Sequence, residues 1–238
     1  MAEVIVVYGK SGAGKSRSLL NFGEDEILLI KTIDKRLPFK KQFRYTLVTD
    51  DINLMLQQMN KMPCRTAVID DAGFVMTNKF MAEHSTPKFG ADQFKLYNEI
   101  ADTFFTLVNG AKALPDWKTV YIILHEEESD VTGSVKLKTI GKLLDQKCPI
   151  ESMVTVVLRC LIGEGGKHIF RTQNSGNDVS KSPEGMLPEI MENDLKAVDN
   201  AIREYWGLET PAESVKNAPK TARRVEVTQS STVPSGGA

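Results

Sequence analysis

The stretch GKSGAGKS, Gly9 to Ser16, follows directly on the apolar run VIVVY at Val4 to Tyr8. Glycine, four residues, then glycine-lysine-serine matches a phosphate-binding loop in its meaningful context, a strand before and a helix start after. Glycines let main-chain N–H groups turn inward around a β-phosphate, and a helix start adds partial positive charge. A lysine reaches the β and γ oxygens, and a serine hydroxyl can ligate Mg²⁺. Gly9, Lys10, Ser11, Gly12, Ala13, Gly14, Lys15, Ser16 and Arg17 are therefore the expected nucleotide-binding residues, with Lys15 also acting in catalysis.

Further short apolar runs lie at Glu26 to Lys31, Tyr45 to Val48, Thr66 to Ile69 and Thr119 to Leu124. Their turn or polar flanks are those of strands buried on both faces. With helical stretches between them, the chain reads as an α/β fold, a mainly parallel sheet flanked by helices. Asp92 to Leu114 carries Phe94, Tyr97, Ala101, Phe105 and Val108 at helical spacing, which predicts an amphipathic helix with those side chains in the core. MVTVVLRCLIG from Met153 and HIFRTQ from His168, separated by EGGK, predict an antiparallel hairpin. Met191, Leu195, Val198, Ile202 and Tyr205 mark a last helix. From Glu209 the composition turns to Pro, Ser, Thr, Gly and charge, which cannot bury enough apolar surface to order itself. The expected division is one domain over 1–208 and a flexible tail over 209–238, as suits a chain of 238 residues.

TAVIDDAG, Thr66 to Gly73, is the natural partner of the phosphate loop, a buried strand ending in an acid. Asp70 would sit beside Ser16 and hold Mg²⁺ through water. Asp71 follows where many ATP hydrolases place the carboxylate that orients the attacking water, although an acid capping the next helix looks the same. His125 ends the strand VYIILH, where a polar residue can contact the γ-phosphate or the water. Beyond it, Glu126 to Pro149 reads as a long loop, and Lys136, Lys138 and Lys142 make a local basic patch there. Contact with the phosphates of a nucleic acid strand and plain solvation both explain those lysines.

The same residues narrow the nucleotide class. No Asn/Thr-Lys-x-Asp reader for guanine is present, and the segment after the fifth strand, HEEESD, is acidic where nucleotide kinases carry an Arg-rich lid. ATP with Mg²⁺ is the expected ligand pair. Two strand candidates between the phosphate loop and Asp70 suit the ATPase branch that inserts an extra strand between the phosphate strand and the aspartate strand. Lys+Arg 30 against Asp+Glu 31 gives a net charge of −1, so only a local patch can draw the protein to nucleic acid. Cys64, Cys148 and Cys160 lie far apart without metal-ligand spacing, as free thiols in a reducing cytosol do. No signal-like segment and no apolar run near the ~20 residues of a membrane helix is present, so a soluble cytoplasmic protein without membrane contact is expected.

A phosphate loop at the N-terminus, a short aspartate strand, a strand ending in His125, a basic loop, and a hairpin followed by NDVSKSPEGMLP together resemble the phage AAA-type nucleotide-binding proteins. That family includes the Sak-four group of RecA-like single-strand annealing ATPases. The resemblance covers Val4 to Pro188 and implies an ATP hydrolase, placed in the host cytoplasm if phage-encoded. It also implies action on single-stranded DNA in annealing or strand exchange, self-association into a ring or filament, and a phage or host single-strand-binding protein as partner. Lys181 matches the basic stretch after the terminal hairpin, so by resemblance it is a finger reaching the neighbour's ATP site. The second basic residue of that stretch is missing here. Relatives often carry an acid just after the second strand, and here only Asp34 is near, which leaves Asp71 and Asp34 both as candidates for orienting water. Two other readings stand beside this one: a small-molecule phosphotransferase, and a nucleotide-gated assembly or loading protein for another phage protein, tethered by the tail.

Overall fold

The computed structural model describes residues 1–86 and 93–208. The strands are β1 (Glu3–Gly9), β2 (Ile27–Lys31), β3 (Tyr45–Val48), β4 (Thr66–Asp70), β5 (Thr119–Glu128), β6 (Val135–Leu137), β7 (Val156–Ile162), β8 (His168–Arg171) and β9 (Ile190–Glu192). The helices are α1 (Ile52–Lys61), α2 (Gly73–Glu83), α3 (Gln93–Lys112) and α4 (Leu195–Trp206). The sheet runs β3-β2-β4-β5-β1-β7-β8-β9, and β6 pairs only with β5. From β3 to β7 every neighbour is parallel, whereas β7, β8 and β9 form an antiparallel meander. This is the mainly parallel α/β build of a RecA-like P-loop fold.

The central strands are apolar throughout because both faces are covered. Val4, Val6 and Tyr8 of β1 join one core with Met55 of α1, Val75 of α2 and Leu96, Ile100 and Phe104 of α3. Ile5 and Val7 of the same strand join the other core with Leu19 and with Leu195, Val198 and Ile202 of α4. An inserted strand does separate the phosphate strand from the aspartate strand. It is β5, which arrives later in the chain; β2 and β3, which lie between the motifs in sequence, stack outside β4.

Four local expectations need correction. Only a single 3-10 turn, Ser16–Leu19, follows the phosphate loop in place of a helix, because ten residues and the Gly23 turn separate Ser16 from β2. In α3, Phe94 is 80% and Phe105 44% exposed, while Leu96, Ile100, Phe104, Leu107 and Ala111 are buried. Ala101 and Val108 are buried as expected, but the aromatic in the stripe that faces β1 is Phe104, not Phe94 or Phe105. Met191 belongs to β9, opposite Phe170, and α4 begins only after the Asp194 carboxylate has capped the N–H groups of Lys196 and Ala197. The segment expected as a loop from Glu126 to Pro149 is loop only in part: β5 runs on through Glu128 and forms a short ribbon with β6, and a π turn follows at Leu143–Lys147, with turns and loop between them. The hairpin β7–β8 is as expected, with Ile162 opposite His168. Asp92 and the predicted tail 209–238 lie outside the described residues.

α4 is bolted to the far end of the sheet by a buried ionic cluster. Asp199, fully buried, accepts from Arg203 Nε at 2.8 Å, Thr119 Oγ1 at 2.6 Å, Thr66 Oγ1 at 3.1 Å and Tyr121 Oη at 3.1 Å. Arg203 also donates to the carbonyls of Trp117 at 3.0 Å and Arg65 at 3.1 Å. Removing one member of a buried pair leaves the other charge uncompensated. Asp199→Ala should therefore lower the unfolding free energy by about 3–5 kcal/mol in urea titrations, and an unchanged midpoint would contradict the role of this cluster in holding α4.

Candidate functional site

The parallel ladder places Gly9 opposite His125 and carries β4 to Asp70 at the same edge of the sheet. A cleft of about 310 Å³ opens there, lined by Ser11, Gly12, Gly14, Lys15, Ser16, Arg17, Lys35, Arg36, Pro38, Asp71, His125 and His168. Cations dominate its wall.

The phosphate loop is shaped by two close approaches. A Cβ on Gly9 would stand 2.6 Å from the carbonyl oxygen of Cys160 on β7, so any side chain would push β1 and β7 apart. Gly14 has φ +104, and a Cβ on it would stand 2.8 Å from His168 Nδ1 and 3.1 Å from Asn193 Oδ1. Lys15, 6% exposed, arches back over the loop and donates to the carbonyls of Gly9 at 2.8 Å and Lys10 at 2.9 Å. Burial lowers its pKa. Lys10 points outward to Glu128 at 2.8 Å.

The two consecutive aspartates have separate neighbours. Asp70, 2% exposed, takes the Ser16 hydroxyl at 3.0 Å to each carboxylate oxygen. Burial and then the adjacent Asp71 charge raise its pKa, marking a carboxylate short of cationic partners. Asp71 is, among the described residues, the non-glycine residue with positive φ, at 57. Aspartate tolerates that region better than most residues, and the turn is held by Thr32 Oγ1 donating to the Asp71 carbonyl at 2.7 Å and by Ala72 N–H to Ile123 O at 2.8 Å. This break in the strand lets Asp71 meet Lys35 through Oδ2 and His125 Nε2 through Oδ1, at 3.4 Å for the latter. Burial acts to raise the Asp71 pKa, yet the His125 and Lys35 contacts outweigh it and bring it down to about 2.

His125 links the aspartate to the loop. Its Nδ1 lies 3.4 Å from Lys15 Nζ. An ammonium only donates, so Nδ1 accepts and the proton sits on Nε2, which faces Asp71. Lys15, His125, Asp71 and Lys35 thus form one continuous chain of polar contacts across the cleft.

The remaining predicted residues lie elsewhere. Asp34 is outside the lining, its carboxylate 75% exposed and paired with Lys31 at 2.7 Å. Lys35 and Arg36, one and two residues on, are the ones that turn into the cleft. Lys136 contacts Asp145 and lies 3.8 Å from Glu127, whereas Lys138 and Lys142 are exposed. Lys181 is half-buried away from the cleft, its main chain bridged to Val157 by bonds of 2.8 and 2.9 Å.

Residues 1–183 match the model of the AAA domain family. The chain belongs to that family. No curated protein matches it. AAA domains are nucleotide-binding ATPase domains, typically with Mg²⁺, and the cationic cleft of this AAA-domain protein suits a polyphosphate. The described residues contain no cluster of three or more metal-ligating side chains. Mg²⁺ bound to a nucleotide does not need one, since one or two protein oxygens plus phosphates and waters complete its shell. Ser16 and the buried, cation-poor carboxylate of Asp70 fit that part. Among the described residues of the AAA-domain protein, no helix is long and apolar enough to cross a membrane.

Lys35, Arg36 and His168 were missed by sequence reasoning. Lys35 follows Asp34 in an ordinary charged run, and His168 opens a strand 155 residues from the loop carbonyl it touches. Ser16→Ala should remove the gain in nucleotide affinity that Mg²⁺ gives the wild type, measured by calorimetry with and without the metal. A variant that keeps the full gain would exclude Ser16 as a metal ligand.

Proposed function

We propose that this protein is a Mg²⁺-dependent, RecA-like ATP hydrolase that acts on single-stranded DNA in annealing or strand exchange. Lys15, Arg17, Lys35 and Arg36 bind the phosphates and meet the charge that builds on them during transfer. Ser16 and Asp70 hold Mg²⁺, which supplies further neutralisation of the phosphate oxygens. Asp71 is the water-orienting carboxylate. A group titrating at about 2 is a weak proton acceptor at neutral pH, so in this arrangement it aligns water more than it removes a proton. Its protonation cost falls if Lys35 leaves it for a γ-phosphate.

One observation carries the DNA half of the proposal: the main-chain N–H of Lys138 donates to the His125 carbonyl at 2.9 Å. The lysine segment is therefore fastened to the residue whose ring lies between Lys15 and Asp71. Nucleotide-dependent movement of His125 would shift the lysines, and by reciprocity DNA on the lysines would bias the site. Lys138 and Lys142 are exposed for phosphate contact, and Lys136 contributes less because Asp145 holds it. Lys181 is the residue assigned to a neighbouring subunit's site in a ring or filament, since it does not line its own cleft. A single-strand-binding protein is the expected partner, in the cytoplasm.

ATP turnover with and without single-stranded DNA tests this reading, with Lys15→Ala as the blank. DNA should stimulate turnover, and the stimulation should fade with salt. The double variant Lys138→Ala/Lys142→Ala should flatten the logarithmic salt slope by about 1.4, at ~0.7 per phosphate contact on a single strand. Turnover that needs Lys15 and ignores DNA would refute the DNA half and leave the nucleotide chemistry in place.

A further inference from the structure

Phosphate loops are usually fixed by the helix they open, and here that helix is one 3-10 turn of four residues. The loop is supported from the opposite side. His168, the first residue of β8, places Nδ1 2.9 Å from the carbonyl oxygen of Ala13. A carbonyl only accepts, so Nδ1 carries a proton and the Nε2 edge is left to the cleft that His168 lines. Asn193, just after β9 and 6% exposed, approaches Cys160 Sγ at 3.6 Å through Nδ2. Its Oδ1 is buried without a hydrogen-bond partner and faces the Cα of Gly14. Two side chains of the antiparallel meander thus press on consecutive residues of the loop, and only glycine fits at position 14.

We propose that His168 is a positioning residue for nucleotide binding, acting through its Nδ1–H bond to the Ala13 carbonyl. This rests on the reading of the cleft as a nucleotide site. The described peptide bonds are all trans, so holding the Ala13 oxygen also holds the N–H of Gly14, which shares its rigid plane and points the opposite way. That N–H is one of the loop donors available to a phosphate. A loop fixed before binding loses less conformational freedom when the phosphate arrives, which appears as affinity. The meander β7–β8–β9 therefore does for this loop what a long helix does elsewhere.

The test compares His168→Ala, His168→Asn and His168→Gln in the full chain, using equilibrium binding of a fluorescent ADP analogue. Asparagine places its amide N–H near the Nδ1 position, whereas glutamine places it near Nε2. Alanine and glutamine should weaken binding about fivefold, the effect of one hydrogen bond, and asparagine should restore it to within about twofold of wild type. In turnover the change should fall on KM and leave kcat largely intact. Thermal melting of each variant separates this from loss of fold, and the asparagine–glutamine comparison stands even if alanine does not fold. Wild-type affinity in all three, or asparagine no better than glutamine at equal melting temperature, would overturn the proposal. Lys15→Ala measured alongside separates the two levels. If it binds as wild type, the nucleotide-site reading and this proposal both fall; if it loses binding while the His168 variants do not, only this proposal falls.

Discussion

Parallel pairing of β5 between β1 and β4 is the constraint on which the site depends. Thr119 begins β5 opposite both Glu3 and Thr66, and from that common start the three strands advance in step. The phosphate loop, His125 and the two aspartates consequently emerge at one edge of the sheet. The other end of the same strands carries the Asp199–Arg203 cluster, which seats α4 through Thr66, Thr119 and Tyr121. Both ends depend on a single register. A slip of one residue would exchange the side chains of β5 between the two covered faces, moving Tyr121 away from Asp199.

Chemistry at the edge is divided by one backbone residue. In an unbroken strand, Asp70 and Asp71 would point to opposite faces. The left-handed conformation of Asp71 ends the strand and opens α2, and its side chain is captured by Lys35 and His125. Two adjacent carboxylates thereby acquire opposite electrostatic settings, one raised by burial and one lowered by cations. In the proposed function that difference suits one to a metal ion and the other to water.

Much of this was legible in the sequence because it is local. VIVVYGKSGAGKS and TAVIDD each carry strand, turn and chemistry within about ten residues, and the strand bounds at Tyr45–Val48 coincide with the expectation. What was not legible depends on distant neighbours. HEEE reads as a loop because its charges are solvated, yet Glu126 to Glu128 are paired by β6. The buried stripe of α3 cannot be chosen from the aromatics alone, since Phe94 and Phe105 lie off the line of Leu96, Ile100, Phe104 and Leu107 that faces the sheet. Lys35 enters the cleft where Asp34 was expected, because the turn after β2 gives Asp34 to Lys31 and sends the next residue to Asp71. The histidine under the phosphate loop is visible only once the hairpin folds back on β1.

The most direct measurement is single-turnover hydrolysis of saturating Mg–ATP by Asp71→Asn and Asp34→Asn, with nucleotide binding measured on the same samples. Asp71→Asn should bind nucleotide yet hydrolyse it about 100-fold more slowly or worse, the scale of a lost catalytic carboxylate, while Asp34→Asn should stay far closer to wild type. Wild-type hydrolysis by Asp71→Asn would contradict the division of labour between the two aspartates.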